Sequence, residues 1–259
     1  MIPKIIHYVW LGNAPLPEDM QKCMDSWKKW MPEYQLIKWD DEAIRDIDSV
    51  FVREALMERK WAFASDVIRL YAIHKYGGIY MDTDVMVYRS FDSLLQNKAF
   101  IGRENSMHQI GKTMEVYLTT CCFGAEPGNP FIKRCLDYYE GRHFVTSQNR
   151  ELPSNLRLDM TLNSMIFCVL AKDWGFNSSV LADYEQHCKD DVLAIYPQRY
   201  FDATKVTVDM YTKHMALGTW RDGRRKEEHY TLRYKIEWRI RALVERILRR
   251  YNYITMKLE

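Results

Sequence analysis

Residues 62–84, AFASDVIRLYAIHKYGGIYMDTD, restrict the fold of this 259-residue chain more than any other stretch. The helix-length run 62–76 stops at Gly77-Gly78, since glycine readily takes the left-handed conformation that ends a helix. The chain passes at once into a short apolar strand, 79–81, then into Asp82-Thr83-Asp84, and a second extended run covers 85–88. A helix feeding directly into a buried strand belongs to an α/β sheet, where ligands bind beyond the carboxyl ends of the strands. The acidic pair falls at such an end. Two carboxylates two residues apart suit a divalent cation there, because Mg²⁺ and Mn²⁺ take oxygen ligands and commonly share carboxylates with substrate phosphates.

The flanking segments repeat this alternation. Residues 4–10 (KIIHYVW) read as an opening strand, and Gly12 to Pro17 as a turn. Met20, Cys23, Met24 and Trp27 at core spacing predict a helix over 18–30, ended by Pro32. Residues 34–39 read as a strand, and Asp40-Asp41 as the cap of a short helix beginning near Glu42. Downstream, 99–101 and 118–123 read as strands, 129–140 as a helix opened by Pro130, and 161–171 as another helix. Residues 192–196 and 205–208 read as short strands. The order predicts an open α/β sheet with helices on its faces. No repeat, low-complexity segment or linker precedes residue 221, so 1–220 reads as one domain.

Charge separates the last part of the chain from the rest. Residues 221–259 hold twelve Lys and Arg against six Asp and Glu; with +2 overall, residues 1–220 stand at −4. In the tail Ile236, Ile240, Leu243, Ile247 and Tyr251 recur at helical steps, with Arg239, Arg241, Arg246, Arg249 and Arg250 between them. Such a basic amphipathic helix either lies on an anionic membrane surface or docks on the body or a second copy. The acidic body and the lack of a reading element speak against nucleic acid. No apolar stretch approaches the roughly 20 residues needed to cross a bilayer. The six cysteines form no C-x-x-C pair, and the Met-Ile-Pro-Lys start reads as lacking a signal peptide, so they are expected as reduced cytosolic thiols. Seventeen Tyr and eight Trp either fill the core or favour a flat or sugar-like ligand.

Asp66 and Arg69, three apart, share a helix face. They form either an ordinary ion pair or a polar clamp, with the planar Arg69 fork toward a phosphate and Asp66 toward a sugar hydroxyl. Their continuation into the acidic pair favours the clamp.

Ser65-Asp66-x-x-Arg69, followed by Tyr-Gly-Gly-Ile-Tyr-x-Asp-x-Asp over 76–84, resembles glycosyltransferase family 32. That family is the sugar-transferase domain with the Asp-x-Asp motif found in capsule and cell-surface polysaccharide enzymes and yeast mannosyltransferases. The opening 3–12 (PKIIHYVWLG) and the stretch from Trp27-Lys28-Lys29 to Trp39-Asp40 are similar too, and the resemblance covers residues 2–220. A distant likeness reaches the glucosylating domains of large clostridial toxins.

The resemblance implies a single Rossmann-like domain of the GT-A type, α/β with a mixed central sheet, and a retaining nucleotide-sugar transferase. Trp10, preceded by Val9, would stack on the base of a UDP-sugar. Ser65, Asp66 and Arg69 would hold the donor sugar, with Tyr80 near the ribose or phosphate. Asp84 would ligate Mn²⁺ or Mg²⁺ directly, and Asp82, with Thr83, would bind ribose or reach the metal through water. His214-Met-Ala-Leu-Gly-Thr219-Trp220 resembles the closing His…Gly-Ser-Trp element of the family. Either His214 or Thr219 would then complete the metal shell, and Trp220 would donate its indole N–H to the diphosphate. Thr219 replaces the usual Ser and keeps its hydroxyl; Met215 stands where a second His is common.

The expected reaction is transfer of a hexose, galactose or N-acetylhexosamine ahead of mannose, to a glycan. A lipid-linked intermediate of bacterial surface polysaccharide is the favoured acceptor. The expected place is the cytoplasmic face of the cell membrane, reached through the basic tail. Glu104, Glu126 and Asp159 are carboxylates for the acceptor side, or surface and packing residues. The alternatives are an Asp-x-Asp phosphohydrolase, disfavoured because Met86 stands where Thr or Val is usual, and a silent nucleotide-sugar-binding module.

Overall fold

Gly78 begins the strand around which the sheet is built. Its φ of 102° lies in the left-handed region, and a Cβ there would stand 2.7 Å from the Ile5 carbonyl oxygen. Only glycine lets the two backbones approach this closely. Gly77, at φ 64°, closes the preceding helix by donating its N–H to Ile73 O at 2.9 Å.

The computed structural model describes residues 1–218 apart from positions 13, 112 and 204. Thr219, Trp220 and the basic helix expected in 221–259 lie outside the described residues. In chain order the elements are β1 (Ile5–Val9), α1 (Glu18–Trp30), β2 (Gln35–Trp39), α2 (Val50–Met57), α3 (Trp61–Tyr76), β3 (Gly78–Met81) and β4 (Val85–Val87). They continue with β5 (Ala99–Ile110), β6 (Thr113–Ala125), α4 (Pro130–Asp137), α5 (Ser154–Arg157), α6 (Asn163–Lys172), β7 (Gln186–Cys188), β8 (Leu193–Tyr196), α7 (Gln198–Phe201) and β9 (Thr212–His214).

Seven strands form the central sheet in the order β2-β1-β3-β6-β5-β8-β7. β1 is parallel to β2 and β3, β5 is parallel to β8, and the remaining pairs are antiparallel. The sheet is therefore mixed and flanked by helices, as expected. Alternation along the strands sends side chains to two cores. Tyr80, Ile101 and Phe123 pack with Phe51, Ile68, Phe131 and Phe167 on the face covered by α2, α3, α4 and α6. Ile79, Met81, Phe100 and Cys122 pack with Trp27, Phe91 and Phe201 on the other. The six cysteines are buried free thiols.

A second, two-stranded sheet pairs β4 with β9. α1 fixes it in place: fully buried Trp27 donates its indole N–H to Val85 O at 2.7 Å, and Val87 N–H donates to Ser26 Oγ at 2.9 Å.

Three sequence expectations are corrected. The helix near Glu42 is a turn; Asp40 Oδ1 accepts the Glu42 and Ala43 N–H groups, but the helix forms at Val50–Met57, where Ser49 caps it by accepting from Val52 N–H. The strand over 205–208 is not formed among the described positions, and the chain instead becomes a strand at Thr212–His214. The strands 99–101 and 118–123 are the inner parts of a much longer hairpin, Ala99–Ile110 with Thr113–Ala125. Its polar outer half, past Arg103, carries no run of apolar residues to mark it.

Candidate active site

β1 and β3 run parallel with His7 opposite Tyr80, so Trp10 and Asp82 leave neighbouring strands on one edge of the sheet. Trp10 N–H donates to Trp39 O at 2.9 Å and its indole N–H to Ala14 O at 2.6 Å. Val9 and Trp10 remain partly open to solvent, which leaves the ring a face at the sheet edge.

α3 supplies Asp66 and Arg69 from behind the same edge. Arg69 is buried, and its guanidinium is engaged on every side. Nε donates to Ser65 O at 3.2 Å, Nη1 to Thr120 O at 2.8 Å and Nη2 to Ser65 Oγ at 2.9 Å. Nη2 also lies 3.1 Å from Asp66 Oδ1 and 3.5 Å from Asp82 Oδ1, and the guanidinium carbon stands 4.5 Å from the centre of the Tyr80 ring. Burial works against the Arg69 charge, but Tyr80, Asp82 and Asp66 outweigh it and raise its pKa. Much of the fork expected for the donor thus serves the protein: Arg69 orients Asp66 and Asp82, and Ser65 orients Arg69. Tyr80 completes the arrangement by donating its hydroxyl to Asp82 Oδ1 at 2.6 Å.

Asp66 is pushed up to about 6, mainly by burial; Asp82 adds to the shift, while Arg69 and the Asn163 side chain oppose it. Asn163 Nδ2 donates to Asp66 Oδ1 at 3.3 Å from the first residue of α6.

Asp82 and Asp84 bracket a tight turn in which Asp82 N–H donates to Cys121 O and Val85 N–H returns to Asp82 O. Thr83, between them, faces α1; its hydroxyl meets Met20 Sδ at 3.3 Å, so it packs the turn and stands apart from the converging side chains. The β4–β9 pairing sets Val85 opposite His214, and Met215 N–H donates to Asp84 O at 2.9 Å. His214 Nε2 consequently lies 3.2 Å from Asp84 Oδ1. Asp82, Asp84 and His214 each offer a ligand atom, all within 4.8 Å of one another. Two carboxylate oxygens and one imidazole nitrogen suit Mn²⁺ well and Mg²⁺ acceptably. Burial opposes a charge on His214, but its hydrogen bond to Asp84, with Asp84, Asp82 and Asp202 nearby, raises it to about 9. Between the two expected metal ligands, His214 is in reach; Thr219 lies outside the described residues.

Of the three acceptor-side carboxylates, Glu126 holds the terminal ammonium of Met1 at 3.3 Å, and Asp159 accepts from Arg142 and Thr161. Glu104 alone belongs to the neighbourhood of the site, among Ser164, Asp202 and His214. Sequence reasoning singled out neither Asn163, which donates to Asp66, nor Ser164 and Asp202, which neighbour Glu104. Each is a single polar residue in an unremarkable context, and only the folded sheet brings them here.

Residues 17–101 match the family model described as the glycosyltransferase sugar-binding region containing DXD motif. The chain is similar to inositol phosphoceramide mannosyltransferase 3 of Schizosaccharomyces pombe, 30% identical over 135 residues, which covers 51% of this chain and 35% of that protein. It is also similar to a human alpha-1,4-N-acetylglucosaminyltransferase, 35% identical over 118 residues, covering 45% of this chain and 29% of that protein. The chain spans 35 to 46% of the length of the first curated relatives it matches. Among solved structures, the PaToxG glycosyltransferase superposes with a TM-score of 0.47 at 21% identity, covering 66% of this chain and 69% of that one. The resemblance to DXD glycosyltransferases is borne out by the family match, whose span holds α1, Asp66, Arg69 and both carboxylates of the motif.

Proposed function

We propose, starting from a chain whose residues 17–101 are a glycosyltransferase sugar-binding region, that it moves a hexose from a nucleotide sugar to a glycan acceptor in a metal-dependent reaction. The observation that carries this reading is the meeting of Asp82, Asp84 and His214 within 4.8 Å of one another, beside the buried Asp66–Arg69 pair. A donor diphosphate has a cation site and a sugar-facing carboxylate within one edge of the sheet.

Asp84 and His214 are the side chains to hold Mn²⁺, with Asp82 kept in orientation by Tyr80 and Arg69. When bound, the ion offsets the negative charge that grows on the departing diphosphate. Asp66 accepts a hydrogen bond from a hydroxyl of the donor sugar, and Asn163 and Arg69 hold its carboxylate at the required angle. Trp10 offers its ring to the base, for which UDP is the favoured nucleotide, and Trp220 is expected to reach the diphosphate. The reaction retains anomeric configuration. Tyr80 and Arg69 both engage Asp82 Oδ1, an arrangement that orients the carboxylate and speaks against the Asp-x-Asp phosphohydrolase reading.

Galactose and N-acetylhexosamine are the favoured donors, and the mannosyl and N-acetylglucosaminyl groups in the names of the two relatives define the rest of the test panel. A lipid-linked glycan of bacterial surface polysaccharide is the proposed acceptor, supported by the ceramide acceptor named for the fission-yeast relative and by the basic tail. The proposed place is the inner face of the cell membrane, with 221–259 as a membrane-surface segment. Among the described residues no helix is long and apolar enough to cross a membrane.

Isothermal titration of UDP with and without Mn²⁺, followed by Mn²⁺-dependent hydrolysis of UDP-galactose, UDP-N-acetylhexosamines and GDP-mannose, tests the reading. Absence of metal-dependent nucleotide binding would sink it. Truncation after Arg221 is expected to release the protein from anionic vesicles while sparing donor hydrolysis; continued vesicle binding would remove the tail from the account.

A further inference from the structure

The pairing of β5 with β6 slips beside the site. Arg103 pairs with Leu118 and Met107 with Val116, so Glu104, Asn105 and Ser106 stand opposite Tyr117 alone. Bulges of this kind re-aim side chains and are over-represented next to active sites. The two residues at its start diverge. Arg103 is fully buried and donates to the carbonyls of Asn177, Ser179 and Ala182. Glu104 faces Ser164 at the start of α6, with Asp202 and His214 in its field.

Asn163 and Ser164 are consecutive, and they hold two different carboxylates: Asn163 donates to Asp66, and the Ser164 hydroxyl serves Glu104. The start of α6 therefore serves both carboxylates. His108 Nε2 stands 3.6 Å from Glu104 Oε2, with the ring stacked on Tyr117 at 3.9 Å between centroids. That nitrogen is buried and has no hydrogen-bond partner among the described residues. Buried polar atoms are rarely left so.

We propose that Glu104, with His108 beside it, receives the attacking hydroxyl of the acceptor and takes its proton. This rests on the glycosyltransferase reading above. The hydroxyl oxygen forms its bond to the anomeric carbon on the face that the diphosphate leaves, as the bond from that carbon to the diphosphate oxygen breaks, so that configuration is retained. The electron pair of the broken bond leaves on the nucleoside diphosphate, and the hydroxyl proton passes to the Glu104 carboxylate. Burial pushes that carboxyl up to about 7, a range suited to taking a proton near neutral pH.

The test uses the full chain, with water as the acceptor and the UDP-sugar that the wild type hydrolyses best. Glu104→Gln is expected to keep UDP affinity in Mn²⁺ within about twofold while donor turnover falls about 100-fold or more, and Glu104→Asp is expected to recover part of the loss. A merely structural role would lower UDP affinity and melting temperature together, and that result overturns the proposal. So does turnover by Glu104→Gln within about threefold of wild type. Should the Gln variant melt below the assay temperature, Glu104→Asp carries the same comparison, since it keeps the charge and moves it back by one methylene. A wild type that neither binds UDP with Mn²⁺ nor turns over any donor overturns the transferase reading itself. A wild type that does both, matched by its variants, overturns only the role of Glu104.

Discussion

His214 and Asp84 form an ion pair, Nε2 to Oδ1 at 3.2 Å, because β9 lays His214 opposite Val85, the residue next to Asp84. In the metal-free protein this raises the His214 pKa from 6.5 to about 9. A proton held more tightly by the folded than by the unfolded chain stabilises the fold fully below pH 6.5, and that stabilisation is lost as pH rises through 9. The metal-free melting temperature is therefore expected to fall across this window, and to fall less in His214→Gln. Mn²⁺ must displace the same proton, so its apparent affinity is expected to rise by about tenfold per pH unit in that range. Calorimetric titration at several pH values checks both; a flat Mn²⁺ affinity would remove His214 from the shell.

Asp84→Asn keeps the shape of the turn and withdraws a charged ligand. Donor turnover is expected to fall about 100-fold or more, equivalent to about 2.7 kcal/mol of transition-state stabilisation, and UDP binding to lose its dependence on Mn²⁺. Chelation of the wild type is expected to reproduce the loss and added Mn²⁺ to reverse it.

Arg69 pairs with two carboxylates, Asp66 and Asp82. Arg69→Ala leaves Asp66 buried without its partner, and the fold is expected to lose about 3–5 kcal/mol in urea titration. Asp66→Asn in the same chain removes the stranded charge, so the double variant is expected to be more stable than Arg69→Ala alone. Activity returns in neither.

Gly78→Ala tests the backbone approach that seats β3. The new methyl would meet Ile5 O at 2.7 Å on a backbone at φ 102°, a conformation that L side chains rarely adopt. The expected loss is about 2 kcal/mol or more in thermal melts, with weaker Mn²⁺ binding because β3 carries the acidic turn.

The α3–β3–Asp82–Asp84 run is legible in the sequence because its signals are local: helical spacing, two glycines, an apolar strand and charged residues in unbroken order. The parts that depend on tertiary context are not. Asp40 does accept N–H groups from Glu42 and Ala43 as a cap would, yet no helix follows, because the apolar residues that pay for one begin at Val50. The outer half of the β5–β6 hairpin alternates weakly and mixes charges, so its strand signal vanishes. Thr83 looks like a member of the acidic motif but turns to Met20, a contact that only the placement of α1 creates. His214 enters through the family resemblance alone, and Asn163 through nothing in its own neighbourhood.

The small β4–β9 ribbon has a consequence for the order of events during synthesis. Asp82 and Asp84 leave the ribosome early, whereas Thr212–His214, which brings the third group of the proposed cation site, comes near the end of the described chain. A nascent chain halted before Thr212 owns both acids of the motif and lacks their imidazole partner. On the proposed reading, every fragment that stops short of Thr212 lacks one group of the cation site, and the site can first close once His214 has emerged.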